Sequence, residues 1–158
     1  MKRIIYLFYL ILGCLLAIPS KATLLMDKCN LPDLSNNAIL CMHQDRDHYV
    51  WFGTYDGLNL YNGTDSYVCR FEQNNENSLC SNIIHKITDA EPGYLWIATS
   101  LGINKFFLDK RAVVESYPGY LECSFLATDR KGNTLAVCKD GFLSGYSLTS
   151  GGFRDLPD

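Results

Sequence analysis

Three histidines (His43, His48 and His85) and five aspartates (Asp45, Asp47, Asp56, Asp129 and Asp140) are the side chains best suited to acid–base or phosphotransfer chemistry. A phosphoacceptor histidine belongs on a helix beside an acidic neighbour. His43 and His85 stand in strand-like runs and His48 in a polar turn, so none is assigned a signalling role. Glycoside hydrolysis needs an acid and a nucleophile or base facing each other across a cleft. All five aspartates instead fall at turn positions, where a short carboxylate accepts hydrogen bonds from nearby backbone N–H groups, and turn formation accounts for them more simply. The chain has no Gly-x-Ser-x-Gly elbow and no Cys/His pair of recognisable type. No cysteine pair has CxxC spacing, so neither a zinc nor a redox site is expected. No catalytic residue, metal ligand or cofactor is assigned, and no ligand-binding residue is singled out. An aromatic such as Tyr55 has the chemistry to stack on a sugar, but the sequence does not place it.

The N-terminus reads as a secretory leader. Lys2 and Arg3 precede the apolar run 4–19, and Ser20-Lys21-Ala22 offers the small residues a signal peptidase reads, so cleavage is expected after Ala22. An uncleaved anchor would need a longer apolar run, about 20 residues. A lipoprotein cut at Cys14, in Ile11-Leu12-Gly13-Cys14, is disfavoured because Leu15 to Ile18 continue the apolar run. Residues 23–158 then face an oxidising compartment with Cys29, Cys41, Cys69, Cys80, Cys123 and Cys138, which permits disulfides without fixing their pairing. Cys41, Cys69 and Cys138 sit inside strand-like runs and are expected to be small buried strand residues. The net charge of −3 lacks any basic block, which argues against nucleic acid as a partner of this segment.

What positions these residues is a repeat. At an offset of 45, Leu34, Asn37, Ile39, Tyr49, Trp51, Thr54, Gly57 and Asn59 meet Leu79, Asn82, Ile84, Tyr94, Trp96, Thr99, Gly102 and Asn104 without a gap. A weaker third copy follows. Asp129-Arg130 and Asp140-Gly141 keep the spacing of Asp45-Arg46 and Asp56-Gly57, and Leu135 stands in the place of the tryptophan. Each copy reads as four short strands separated by tight turns. The predicted strands are 37–44, 49–54, 58–61 and 66–71; then 83–89, 94–99, 103–108 and 112–117; then 124–128, 134–138, 142–148 and 153–156. Nothing in residues 23–158 has helical periodicity. Four strands every 40 to 45 residues is the pattern of a propeller blade, which buries its faces only against neighbouring blades. The expected fold is all-β: about three four-stranded antiparallel blades, roughly 34–72, 79–118 and 121–156, forming an incomplete ring behind a signal peptide at 1–22. Trp51 and Trp96 are then plugs between blades. Gly53, Thr54, Gly57, Asn59, Thr99, Gly102, Asn104 and Gly141 are repeat positions with structural roles.

These copies resemble the two-component regulator propeller repeat. The first carries Leu34-Ser35-Asn36-Asn37, Asp45, Val50-Trp51-Phe52-Gly53-Thr54 and Gly57-Leu58-Asn59-Leu60-Tyr61. The second carries Leu79, Asn82, Gly93, Leu95-Trp96-Ile97-Ala98-Thr99 and Gly102-Ile103-Asn104-Lys105-Phe106. His48 replaces the turn glycine in copy one, Ala98 the strand glycine in copy two, and copy three lacks the tryptophan. The stretch from Asp45 to Trp51 also resembles the Asp-box hairpins of some propellers. Behind a leader, the pattern is similar to the N-terminus of hybrid two-component sensors from polysaccharide-degrading gut bacteria. That resemblance implies a periplasmic, non-catalytic propeller that senses an oligosaccharide or other small ligand. It also implies further blades of the same parent chain, a homodimeric receptor anchored in the inner membrane, and kinase, receiver and DNA-binding domains beyond this segment. Two other readings stay open: a short secreted binding or structural protein that completes its ring by oligomerising, and a propeller enzyme such as a lyase or glycosidase. Asn62-Gly63-Thr64 fits a glycosylation sequon but reads as a turn.

Overall fold

Backbone hydrogen bonding sorts the described residues into three four-stranded antiparallel sheets, each built from consecutive strands. The structure, a computed structural model, describes residues 34–139 and 143–156. The leader with its cleavage site, Cys14, Cys29, Asp140, Gly141 and Phe142 lie outside the described residues.

The first sheet contains β1 (Ile39–Gln44), β2 (Val50–Thr54), β3 (Gly57–Tyr61) and β4 (Ser66–Cys69). The second contains β5 (Ile84–Asp89), β6 (Tyr94–Thr99), β7 (Gly102–Phe107) and β8 (Ala112–Pro118). The third contains β9 (Phe125–Thr128), β10 (Thr134–Val137), β11 (Leu143–Tyr146) and β12 (Phe153–Asp155). These are three propeller blades, and they do not close a ring. The strands stop a little short of two expected ends for local reasons. Phe71 donates its N–H to Asn82 Oδ1 rather than to a ladder, and Ser147 opens a turn closed by Ser150 N–H.

The repeat extends to the ladder register. β1 meets β2 through Ile39↔Thr54 with a bulge before Cys41↔Gly53, and β5 meets β6 through Ile84↔Thr99 with a bulge before Lys86↔Ala98. A bulge recurring at the same place bends and twists each blade alike. In the third blade the strands around the β10–β11 connection pair as Val137↔Leu143, against Ala98↔Ile103 in the second. This connection is therefore one residue longer than its counterpart.

Two apolar clusters hold the blades together. The first joins blades one and two and centres on Trp51, Leu58, Ile84, Leu95 and Phe106. The second joins blades two and three and centres on Trp96, Ile103, Leu126, Tyr146 and Phe153. Each tryptophan meets an aromatic of the following blade edge-on: Trp51 on Phe106 at 5.5 Å, and Trp96 on Tyr146 at 4.7 Å and Phe153 at 5.2 Å. Such edge-to-face pairs add to the area they bury. Gly53 lets Ile84 of blade two approach β2 closely, since a Cβ there would lie 2.5 Å from Cys41 Sγ and 2.7 Å from Ile84 Cγ2. In blade two the same position is Ala98, and it shares its cluster with Cys123, which by repeat spacing stands in the place of Ile84. A larger residue on one side is matched by a smaller one on the other.

The cysteines depart in part from expectation. Cys138 is a bridge partner rather than a small buried thiol, joined to Cys123 just beyond the paired ends of β9 and β10. Cys41, Cys69 and Cys80 are free and half-buried. Burial pushes the Cys41 thiol up to about 11, and burial also raises Cys69. Both thiols are therefore protonated at neutral pH. Iodoacetamide at pH 8 is expected to alkylate Cys41 in the folded chain at least tenfold more slowly than in urea, read by mass spectrometry of the tryptic peptides.

Candidate functional site

The repeat residues form one connected device in each blade. Thr54 ends β2, where its hydroxyl donates to Gly57 O at 3.0 Å and accepts from Asp56 N–H at 3.0 Å. Gly57 takes φ +125°, and a Cβ there would lie 2.7 Å from Cys69 O, so only glycine fits. Asn59, fully buried on β3, accepts Ser35 N–H at 2.8 Å and donates to Ser35 Oγ at 2.8 Å, to Gly57 O and to Phe52 O. It ties the segment entering the blade to the middle of the sheet. Blade two repeats this. Thr99 donates to Gly102 O at 2.9 Å, and Asn104 accepts Cys80 N–H at 3.0 Å while donating to Cys80 Sγ and Ser116 Oγ. A buried amide with every donor and acceptor engaged fixes backbone position. It leaves nothing free for a ligand.

Asp45 has a second structural duty. It is buried, and it accepts Asp47 and Tyr49 N–H on one oxygen and the Trp51 indole N–H at 2.8 Å on the other. His48 closes this turn at φ 67°, where blade two has Gly93. In blade two Ala90 replaces the aspartate, and Trp96 Nε1 is buried without an acceptor among the described residues. In blade three Asp129 accepts Lys131 and Asn133 N–H, and the Asn133 side chain serves its second oxygen. These bonds hold the Asp129 carboxyl below its usual range. His43 lies 3.1 Å from Asp89 on the neighbouring blade, and His85 3.0 Å from Ser100 Oγ. Asp56 pairs with Arg70. Tyr55 is exposed in the β2–β3 turn. Among the described residues no group of three or more His, Cys, Asp or Glu is placed to hold a metal ion, and no helix is long and apolar enough to cross a membrane.

Sequence reasoning missed a charged cluster between blades two and three. Lys105 is buried, with Nζ 2.5 Å from Glu91 Oε1, 3.2 Å from Glu115 Oε1 and 3.3 Å from the Tyr146 hydroxyl. It also lies over the rings of Tyr94, Trp96 and Tyr146 at 5.2, 5.6 and 5.4 Å. Burial alone would lower its pKa, but the bonds to Glu91, Tyr146 and Glu115 outweigh that and hold the ammonium above the usual lysine range. Tyr117 donates to Glu115 Oε2, and burial with this bond raises its phenol. The one signal in the sequence was Lys105 itself, a charge where copy one has Leu60.

Residues 33–56, which run into the β2–β3 turn, match the family model described as two component regulator propeller. The match covers β1 and β2 of the first blade. No curated protein matches the chain. Among solved structures, the extracellular domain of BT4673 from B. thetaiotaomicron, described as a one component system, superposes with a TM-score of 0.66 at 18% identity, covering 78% of this chain and 19% of that one. The extracellular domain of BT3049 from the same organism, described as a hybrid two component system, superposes with a TM-score of 0.60 at 21% identity, covering 77% of this chain and 17% of that one. The chain thus spans less than a fifth of either neighbour, and at these identities the likeness is one of fold. The matched stretch contains the plug Trp51 and the turn-closing Thr54 described above.

The third blade keeps the four-stranded plan of the first two with different chemistry. By repeat spacing Cys123 and Cys138 stand in the places of Ile84 and Thr99, so a disulfide joins the ladder where the other blades use a threonine to close the turn. Reduction, or Cys138→Ser, is expected to cost about 3 kcal/mol for a bridge closing a loop of this length. A urea melt of the full chain with and without dithiothreitol measures this. Equal midpoints would show that the bridge adds nothing to the blade.

Proposed function

We propose that this chain is part of the extracytoplasmic, ligand-sensing propeller of a two-component receptor, without catalysis of its own, and that the ligand is an oligosaccharide or a related small molecule. The observation that carries this reading is the regulator propeller match at residues 33–56, seated in a blade whose signature side chains are all engaged by the fold. A signal then passes by binding and rigid-body transmission rather than by turnover. The Cys123–Cys138 bridge supports an oxidising compartment, in line with the expected leader.

The proposal includes further blades of the same protein. Leu135 occupies the place of Trp51 and Trp96, yet it is 37% exposed, with no following blade among the described residues to cover it. With Phe125, Ala127, Gly145 and Leu156 it lines an apolar groove of about 620 Å³ on the outer face of the third sheet. The corresponding faces of blades one and two are covered by Phe106 and Tyr146 of the next blade. A fourth blade presenting an aromatic from its third strand fills this groove in the same manner. Membrane anchoring, dimerisation and the kinase belong to the remainder of the receptor.

The test is the reading frame beyond codon 158. Continuation into more repeats, then a membrane span and a kinase, supports the proposal, and a stop codon overturns it in favour of a ring assembled from short chains. For the ligand, the complete ectodomain is melted by scanning fluorimetry with a panel of plant and host oligosaccharides. A stabilising hit supports sugar sensing, and a flat response across the panel counts against it.

A further inference from the structure

In blades one and two, Asn59 and Asn104 reach across to Ser35 and Cys80 and fill the space between the incoming segment and the third strand. The register pairs Phe52↔Asn59, Ile97↔Asn104 and Ala136↔Ser144 put Ser144 at this place in blade three. The spacing that maps Ile84 onto Cys123 maps Cys80 onto Gly119. A long amide and its side-chain partner have thus become a serine and a glycine. Gly119 N–H turns away to Leu101 O at 3.2 Å, and Ser144 Oγ donates to Asp155 Oδ1 at 2.8 Å. The space the clamp would fill is a cavity of about 360 Å³, bounded by Gly119, Tyr120, Leu121, Cys138, Lys139, Ser144 and Asp155.

We propose that this cavity, opened where the third blade replaces the repeat's asparagine clamp with Ser144 and Gly119, is a binding pocket for a neutral pyranose. The proposal rests on the sugar-sensing reading above and gives that ligand a place. Asp155 is oriented by the buried Ser144 hydroxyl and keeps acceptor capacity for sugar hydroxyls. Lys139 is exposed and pairs with Glu122 at 3.6 Å, beyond hydrogen-bond distance, so its N–H groups keep donor capacity toward the cavity. The Tyr120 ring is steadied against Phe153 at 5.3 Å and supplies an aromatic wall suited to the C–H face of a pyranose. One cation and one anion balance in the lining, which favours an uncharged ligand over a phosphate or an acid. The disulfide at Cys138 and the bond from Lys139 N–H to Leu121 O at 2.9 Å tie this wall to the neighbouring backbone before a ligand arrives.

The experiment is saturation-transfer difference NMR on the full chain with D-glucose, D-galactose, D-mannose, D-xylose and L-arabinose as probes. At least one sugar is expected to receive saturation on its ring protons. Ser144→Asn rebuilds the clamp residue of the other blades and fills the cavity, and Asp155→Asn keeps the shape but removes the carboxylate. Each is expected to reduce the transfer at least tenfold, with the far-ultraviolet circular dichroism of the chain unchanged. Transfer that persists undiminished in both variants places the sugar elsewhere on the chain; it overturns the pocket and leaves the sensing reading standing. Absence of transfer from the unmodified chain to all five sugars also overturns the pocket, while the sensing reading is judged by the ectodomain panel.

Discussion

Trp96→Ala is expected to lower the stability of the chain by about 5 kcal/mol, the upper end of the range for removing a large buried aromatic. Trp96 is fully buried in the aromatic cluster of Tyr117, Tyr146 and Phe153 at the seam between blades two and three. Truncation leaves a void that neighbouring rings anchored in two different sheets cannot collapse to fill. The control is Leu135→Ala. It changes the same repeat position in blade three, where the side chain meets solvent, and should cost less than about 1 kcal/mol. Urea unfolding of the full chain gives both numbers, and similar losses at the two positions would sink the idea that the tryptophan acts as a seam between blades. A finer contrast uses phenylalanine. Trp51→Phe strands an Asp45 oxygen that accepted the indole N–H, whereas Trp96→Phe removes an N–H with no described acceptor. The first should therefore cost more, by about 1.5–3 kcal/mol, the scale of a hydrogen bond to a charged group.

Lys105→Ala is expected to cost about 3 kcal/mol. Removing one partner of a buried ion pair leaves the other uncompensated, which typically costs 3–5 kcal/mol. The lower figure applies because the Glu115 side chain is 39% exposed and water offsets its loss, while Glu91, at 22%, has less relief. Replacing the pair by apolar residues should recover most of the loss, since copy one manages the same place with Leu60. The double variant Lys105→Leu, Glu91→Leu is therefore expected within about 1 kcal/mol of the unmodified chain, and a double-mutant cycle isolates the coupling. A double variant as unstable as Lys105→Ala would show that the charge itself is required. The pH behaviour follows from the raised pKa. The lysine's own contribution is fully present below its unfolded value, about 10.4, and is lost as pH rises through the higher folded value. This group therefore adds no pH dependence near neutrality.

The blades were legible because each repeat residue solves a local problem that recurs every 45 residues. Thr54 and Thr99 close a turn, Gly57 sits where a side chain would strike a carbonyl, and the tryptophans fill a seam. The Lys105 cluster was not legible. A lysine in a strand reads as solvated, and its burial depends on Glu91, Glu115 and Tyr146 arriving from other strands and another blade. The disulfide was hidden for a different reason: its two cysteines are 15 residues apart and become opposite only through the ladder register. The signal was present, since Cys123 and Cys138 fall on the paired positions Ile84 and Thr99, but using it requires carrying the repeat alignment into the weak third copy. The pocket in blade three was unreadable for the same reason. Ser144 aligns with Asn104 only once the longer β10–β11 connection is counted.

The edge-on contact of each tryptophan with an aromatic of the following blade gives the array a direction. Trp51 is completed by Phe106, 55 residues later, and Trp96 by Tyr146, 50 residues later. A chain crossing a translocation pore N-terminus first therefore presents each tryptophan unshielded until roughly one more repeat has emerged. On any route that releases the N-terminus first, blades one and two each wait for their successor, and the interval of greatest vulnerability to chaperone capture or proteolysis trails the emerging chain by one repeat.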